Sequence, residues 1–261
     1  MNSTSSKSHI AFDYISINPG DMATHAIKVR DRSLRFAFRL LVPLFALILA
    51  SCAQSISREQ VMQTAHSYTE IRWMPEERHV RHGKDGLGQW VHTPDITLEK
   101  HNGDKRGWWQ PGVEAVSMPY KWGGFDTPES FQRKIRRGYF AGDVATQEKL
   151  RLLERGVSNR ATGIDCSGFI SRCWGLPRAY STRRLHLVSR RLESWDELKA
   201  GDMLLTRGHV MLFAGWSKPG IEIEIYEAGP LPRWGVNRSK YQVESLLSAG
   251  YAPWRYNRIR D

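Results

Sequence analysis

The spacing of apolar and polar positions divides the chain into an irregular first half and a more regular second half. Ser57 and Gln60 have capping-box spacing, and Val61, Ala65 and Tyr68 then recur at helical intervals, which predicts a first helix. From Arg72 to Gly112 the chain is rich in Gly, His, Lys, Arg and Trp, including Gly86, Gly88, Gly103, Gly107 and the pair Trp108-Trp109, and has no clear period. An irregular insertion with short strands is expected there. Phe125 to Ile164 is again rich in charge, with helices predicted near Pro128–Arg136 and Thr146–Arg155.

Beyond that point the pattern tightens. Asp165 can cap a helix in which Phe169 pairs with Cys173 and Ile170 with Trp174 at four-residue spacing, and Gly175 and Pro177 end it. His209–Trp216 is apolar on both faces and reads as a central strand, whereas Ile221–Ala228 alternates Ile with Glu as a half-buried strand does. A last helix is expected from about Lys240 to Ser248, ending at Gly250. Tyr251–Ile259 is expected to close the sheet, with Pro253 predicting an edge position. The fold class is therefore α+β, with no internal repeat and no low-complexity linker.

The N-terminal stretch has a different pattern. Lys28, Arg30, Arg32, Arg35 and Arg39 precede an apolar run from Leu40 to Leu49, the basic-then-apolar order of an export signal. The run falls short of the roughly 20 residues a membrane-spanning helix needs. It ends in Leu49-Ala50-Ser51-Cys52, which resembles the lipobox of bacterial lipoproteins, where the cysteine is lipidated and becomes the new first residue. The alternatives are an uncleaved anchor and an ordinary signal peptide; both still export the protein. Residues before Lys28 do not resemble a signal, and Met22 would give a leader of more usual length. Ala53, rather than an aspartate, follows Cys52, which by resemblance to Gram-negative lipoproteins implies the periplasmic face of the outer membrane. The expected organisation is a leader over 1–51 and a single domain over 52–261, with insertions at about 72–112 and 125–164.

Composition narrows the partners. With 41% hydrophobic and 25% charged residues the exported part should fold around one core, and the net charge of +11 favours an anionic partner: nucleic acid, a membrane surface or a wall polymer. The export signal and the lack of any nucleic-acid motif argue against the first. The chain has three cysteines, Cys52, Cys166 and Cys173, too few for a disulfide framework. If Cys52 carries lipid, a thiol kept in an oxidising compartment asks for a reason.

Cys166 supplies one. At the first turn of a helix, unpaired backbone N–H groups and the helix dipole favour an anion, so the same position suits a thiolate nucleophile and the oxyanion it generates. The alternative is a small buried core residue, as Cys173 is expected to be. His209 opens a hydrophobic strand just after Gly208, placed to act as base, although a lone histidine at a strand start is more often structural. Glu227 falls where the series Ile221, Ile223, Ile225 calls for an apolar residue. An inward carboxylate needs a partner, and an imidazole is a suitable one; otherwise the strand ends at Tyr226 and Glu227 is solvated.

These residues sit within four blocks: Pro119-Tyr120-Lys121-Trp122-Gly123-Gly124, Asp165-Cys166-Ser167-Gly168-Phe169, Leu198-Lys199-Ala200-Gly201-Asp202 and Gly208-His209-Val210. In this order they resemble the NlpC-type cell-wall cysteine peptidases, a papain-like family, from about Tyr120 to the end and with the first helix included. The resemblance implies a helix carrying the cysteine packed on a central antiparallel sheet carrying the histidine. It implies that Cys166 attacks, that His209 is the base, that Tyr120 lies beside the nucleophile near the oxyanion or substrate, and that Asp165 and Ser167 shape the subsite for the peptide's amine. The family's third polar residue, commonly His, Asn or Gln, falls on Glu227, an atypical choice. The two long insertions are also atypical.

The substrate this implies is the stem peptide of peptidoglycan, cleaved through a thioester acyl-enzyme by a lipid-anchored monomer. No cofactor and no metal are expected, since the histidines lack zinc-ligand spacing such as His-Glu-x-x-His. The alternatives are a papain-like amidase or acyltransferase acting on a small acylated molecule, and a non-catalytic wall-binding lipoprotein. Trp108, Trp109, Trp122 and Trp234 offer stacking surfaces or core, and Arg183, Arg184, Arg190 and Arg191 an anion-steering patch or a solvated face.

Overall fold

The computed structural model describes residues 55–261; the leader, the run Leu40–Leu49 and the lipobox with Cys52 lie outside the described residues. Helix α1 (Arg58–Thr69) starts at the expected capping box, in which the Ser57 hydroxyl accepts from Gln60 N at 3.1 Å and the Gln60 side chain accepts from Ser57 N at 3.0 Å. Its buried stripe is Val61, Ala65 and Tyr68. Helix α2 (Pro128–Arg136) begins at Thr127, with proline at the first helical position where no N–H is needed. Helix α3 (Cys166–Cys173) is capped by Asp165, whose Oδ1 accepts from Gly168 N at 2.6 Å. Tyr68 of α1 meets Phe169 of α3 edge-on at 5.5 Å.

The second half builds a six-stranded sheet: β1 (Ser189–Arg191), β2 (Met203–Thr206), β3 (His209–Lys218), β4 (Glu222–Gly229), β5 (Gly235–Gln242) and β6 (Ala252–Tyr256), with helix α4 (Val243–Ser248) before the last strand. Every neighbour pair is antiparallel, in the order β5-β4-β3-β2-β6-β1. Mixed α+β architecture with an antiparallel sheet is thus as expected. Alternation along β3 and β4 serves two cores. Val210, Leu212, Tyr226 and Ala228 pack with α1 and α3, whereas Met211, Phe213, Ile223 and Ile225 pack with Val243 and Leu246 of α4. Each such side chain contributes about 1.5–3 kcal/mol by leaving water.

Three expectations need correction. The segment Lys240–Gln242 is not helical: it finishes β5, which the sequence reading missed altogether, and α4 starts only at Val243. As an edge strand β5 keeps Arg238, Lys240 and Gln242 exposed, so it lacks the apolar alternation of a strand with neighbours on both sides. Pro253 is not on an edge, because β1 lies outside β6. The proline is tolerated where the β6–β1 ladder runs out: its carbonyl still accepts from Leu192 N at 3.0 Å, and only the reciprocal bond is forgone. Ile221 is 58% exposed and precedes β4, so the buried series is Ile223, Ile225, Glu227.

Both insertions are closed at their bases. Arg72–Trp73 pairs with Ala115–Val116 across the first, and Phe125 pairs with Ile164 across the second. They dock on each other through buried polar groups: Lys149 Nζ reaches Asp143 Oδ2 at 2.7 Å, Trp90 O at 2.5 Å and Gly156 O at 3.0 Å, and Ser158 donates to Asp85 at 2.6 Å. Asp143 N then donates to Tyr120 O at 2.8 Å, and Trp122 N to Asp143 O at 2.8 Å. The inserted segments therefore form a buttress against the Tyr120–Trp122 segment rather than a loose outgrowth.

Candidate functional site

Two sequence blocks some forty residues apart meet backbone to backbone. Lys121 N donates to Ile164 O at 3.0 Å, and Asp165 N to Gly124 O at 3.3 Å. A Cβ on Gly168 would lie 2.1 Å from Gly124 O, and one on Gly124 would lie 2.5 Å from Gly163 O. Glycine at both positions is what lets the first turn of α3 rest on the Tyr120–Gly124 segment.

That contact sets Tyr120 beside Cys166. Tyr120 is buried, and its phenol is held well above its usual pKa by burial and then by the charge of Cys166. Cys166 is the first residue of α3 and is 7% exposed. The cap and the helix occupy Gly168 N and Phe169 N, which donate to Asp165 Oδ1 and Asp165 O. The N–H groups of Cys166 and Ser167 stay available in the first turn, positioned for an anion on the thiol or an adjacent oxygen. Asp165 itself is committed locally: Oδ1 also accepts from the Ser167 hydroxyl at 3.0 Å, and burial raises the carboxyl's pKa.

His209 follows the two-residue turn Arg207-Gly208, whose glycine adopts φ 99°. Its Nε2 donates to Glu227 Oε2 at 2.6 Å. The strand does not end at Tyr226; it runs to Gly229, and the Glu227 side chain is 4% exposed, so the solvated alternative fails. The other carboxylate oxygen accepts from the Tyr241 hydroxyl at 2.8 Å. Both oxygens are thereby satisfied, as a buried charge requires. Burial pulls the pKa of His209 down, but hydrogen bonds to Cys166 and Glu227 and their charges push it up to about 10. The ring is thus an imidazolium at neutral pH. With Nε2 bound to Glu227, Nδ1 is the nitrogen left for the thiol.

The structure brings together Cys166, His209 and Glu227, with Tyr120, Asp165 and Ser167 around the thiol. Cys173 is fully buried at the far end of α3, with its thiol pKa raised by burial, an inert core residue. Arg183, Arg184, Arg190 and Arg191 are all exposed. Sequence reasoning missed Tyr241 and Tyr251, whose ring stands edge-on to His209 at 6.4 Å. Tyr241 sits on the unpredicted strand β5, so nothing in its spacing pointed to Glu227. Among the described residues, no group of three or more His, Cys, Asp or Glu side chains is arranged to hold a metal ion.

Chemically, the arrangement offers a nucleophilic sulfur, an acid–base imidazole with an anionic anchor, and backbone donors for an oxyanion. No family model, curated protein or solved structure matches the chain.

Proposed function

We propose that this chain is a cysteine hydrolase of the cell envelope with a papain-like, NlpC-type fold, acting as an endopeptidase on peptidoglycan stem peptides. The observation that carries the reading is the 2.6 Å contact between His209 Nε2 and a buried Glu227, with Cys166 at the helix N-terminus near enough to the same ring to raise its pKa. The four sequence blocks that resemble the family support it, as does the closeness of Tyr120 to Cys166.

In the first half-reaction the Cys166 thiolate attacks the amide carbonyl carbon, and the Cys166 and Ser167 N–H groups receive the developing oxyanion. The C–N bond then breaks as the His209 imidazolium gives its Nδ1 proton to the departing amine, leaving a thioester on Cys166. In the second half-reaction the now neutral His209 takes a proton from water as the oxygen attacks the thioester. The C–S bond breaks, a carboxylic acid product leaves, and thiolate and imidazolium are restored. Glu227 stabilises the imidazolium and fixes the ring without exchanging a proton. Lipid on Cys52 would hold the enzyme at the membrane surface beside its polymer.

The test is to incubate the exported part with purified peptidoglycan beside a Cys166→Ala control and to identify released fragments by mass spectrometry. Stem-peptide fragments from the wild type alone are expected. Absence of release, with Cys166 still reacting rapidly with a thiol reagent, would remove the wall substrate and leave a hydrolase of small amides.

A further inference from the structure

The turn between β4 and β5 starts at the catalytic pair and ends on Tyr120. A Cβ on Gly229 would lie 2.9 Å from Glu227 Oε2 and 3.2 Å from His209 Cε1. Five residues later the Trp234 ring meets Tyr120 edge-on at 5.1 Å, and Tyr120 N donates to Trp234 O at 3.1 Å. The first insertion reaches the same place: Trp108 Nε1 donates to Trp234 O at 2.7 Å. The turn is held rigid by the buried amide of Asn237, whose Nδ2 lies 3.1 Å from Leu231 O, 2.8 Å from Arg233 O and 2.9 Å from Gly235 O.

Two cations lie on these rings. The Arg233 guanidinium sits over Trp108, 4.6 Å from the ring centroid, and Lys105 Nζ over Trp234 at 5.0 Å. Arg233 is half-buried, and its Nε donates to Asn237 Oδ1 at 3.3 Å. Among the described residues neither cation has a carboxylate within ion-pair distance; Glu114, the nearby acid lining the same hollow, is paired with Arg72 at 2.8 Å. Burying a guanidinium part-way without a counter-ion is unfavourable, and here the rest of the fold fixes it in that state. Arg233 lines a hollow of about 310 Å³ together with Trp108, Trp109, Ile96, Val113 and Glu114. Two cations without a carboxylate partner, held on aromatic faces of which one packs on Tyr120, are a binding site awaiting an anion.

We propose that Arg233 and Lys105, shelved on Trp108 and Trp234, form a subsite for a carboxylate of the substrate away from the scissile amide. The proposal rests on the peptide-hydrolase reading and narrows it: the preferred peptides are acidic ones, with the carboxylate bound on the Tyr120 side of the cleft. The first insertion would then serve specificity, since it brings Lys105 and Trp108.

The experiment separates binding from turnover. Full-length Cys166→Ala protein is titrated calorimetrically with N-acetyl-alanyl-glutamate and with its fully amidated analogue. The same pair is tested on Arg233→Gln and Lys105→Gln, with Arg191→Gln as a remote control. The acidic peptide is expected to bind about tenfold tighter than the amide, as one charge-assisted pair warrants. That preference should fall toward unity in Arg233→Gln and shrink in Lys105→Gln, with affinity for the amide unchanged and Arg191→Gln like the parent. Equal binding of both peptides by the parent, or a preference that survives in Arg233→Gln, overturns the proposal. So does equal weakening of both ligands, which would make Arg233 merely structural. A preserved acid preference alongside no Cys166-dependent cleavage of any peptide would leave the subsite standing and remove the hydrolase reading.

Discussion

Replacing Glu227 by Gln isolates the least usual part of the site. The change keeps the shape and an acceptor for His209 Nε2, and Tyr241 can turn its hydroxyl to accept from the new amide, so the packing around a side chain only 4% exposed should hold. What it removes is the charge. Raising His209 from 6.5 to about 10 corresponds to about 5 kcal/mol in favour of the imidazolium, the balance of burial opposing and Cys166 and Glu227 favouring. With Cys166 and the burial unchanged, losing the carboxylate charge should bring the midpoint down from about 10. A histidine raised in the folded state contributes stability that is fully present below 6.5 and is lost as pH rises through about 10; in the variant the loss also starts at 6.5 but is smaller in total and complete at a lower pH. The assay is an NMR titration of the His209 ring carbon in the full chain, assigned with His209→Gln. It is paired with the alkaline limb of Cys166-dependent turnover, which should move down with the midpoint. A wild-type midpoint near 6.5, or one that stays near 10 in Glu227→Gln, would refute the reasoning.

Other expectations separate chemistry from packing. Cys166→Ala should abolish hydrolysis while leaving the thermal midpoint nearly unchanged, whereas Cys173→Ala, at a fully buried site, should cost about 1 kcal/mol by denaturant titration and keep activity. Lys149→Met strands the buried Asp143 carboxylate and should cost about 3–5 kcal/mol in urea unfolding; Asp143→Asn combined with Lys149→Met should recover much of it. Gly168→Ala would press a methyl against Gly124 O and should cost about 1–3 kcal/mol. Activity should drop further than stability, because the shift separates Cys166 from Tyr120.

Helix positions were largely legible because they depend on local chemistry. The Ser57–Gln60 box and Asp165 each satisfy the first N–H groups of a helix from within a few residues, and both helices begin where those signals stand. The central strands were legible for a related reason: β3 and β4 carry their burial in an apolar alternation. β5 carried none, since its outer edge faces water and its register comes from eight pairings to β4 rather than from its own residues. Pro253 misled because ladder position, not residue type, decides whether an N–H is missed.

The candidate site shows the same division. Sequence alone determined the residue types that carry the proposed chemistry: a cysteine behind a capping aspartate, a histidine after a turn glycine, and a carboxylate in an apolar series. It also determined the glycines that permit close approach. Only the tertiary structure decided that Glu227 points at His209, that Tyr241 satisfies its second oxygen, that the insertions brace Tyr120, and that Arg233 and Lys105 rest on Trp108 and Trp234. Caps, turns and periodic faces are written within one or two turns of chain, where the energetics are nearest-neighbour. Contacts between residues up to about 130 positions apart, such as Lys105 and Trp234, depend on how the whole core closes, and no local pattern encodes them.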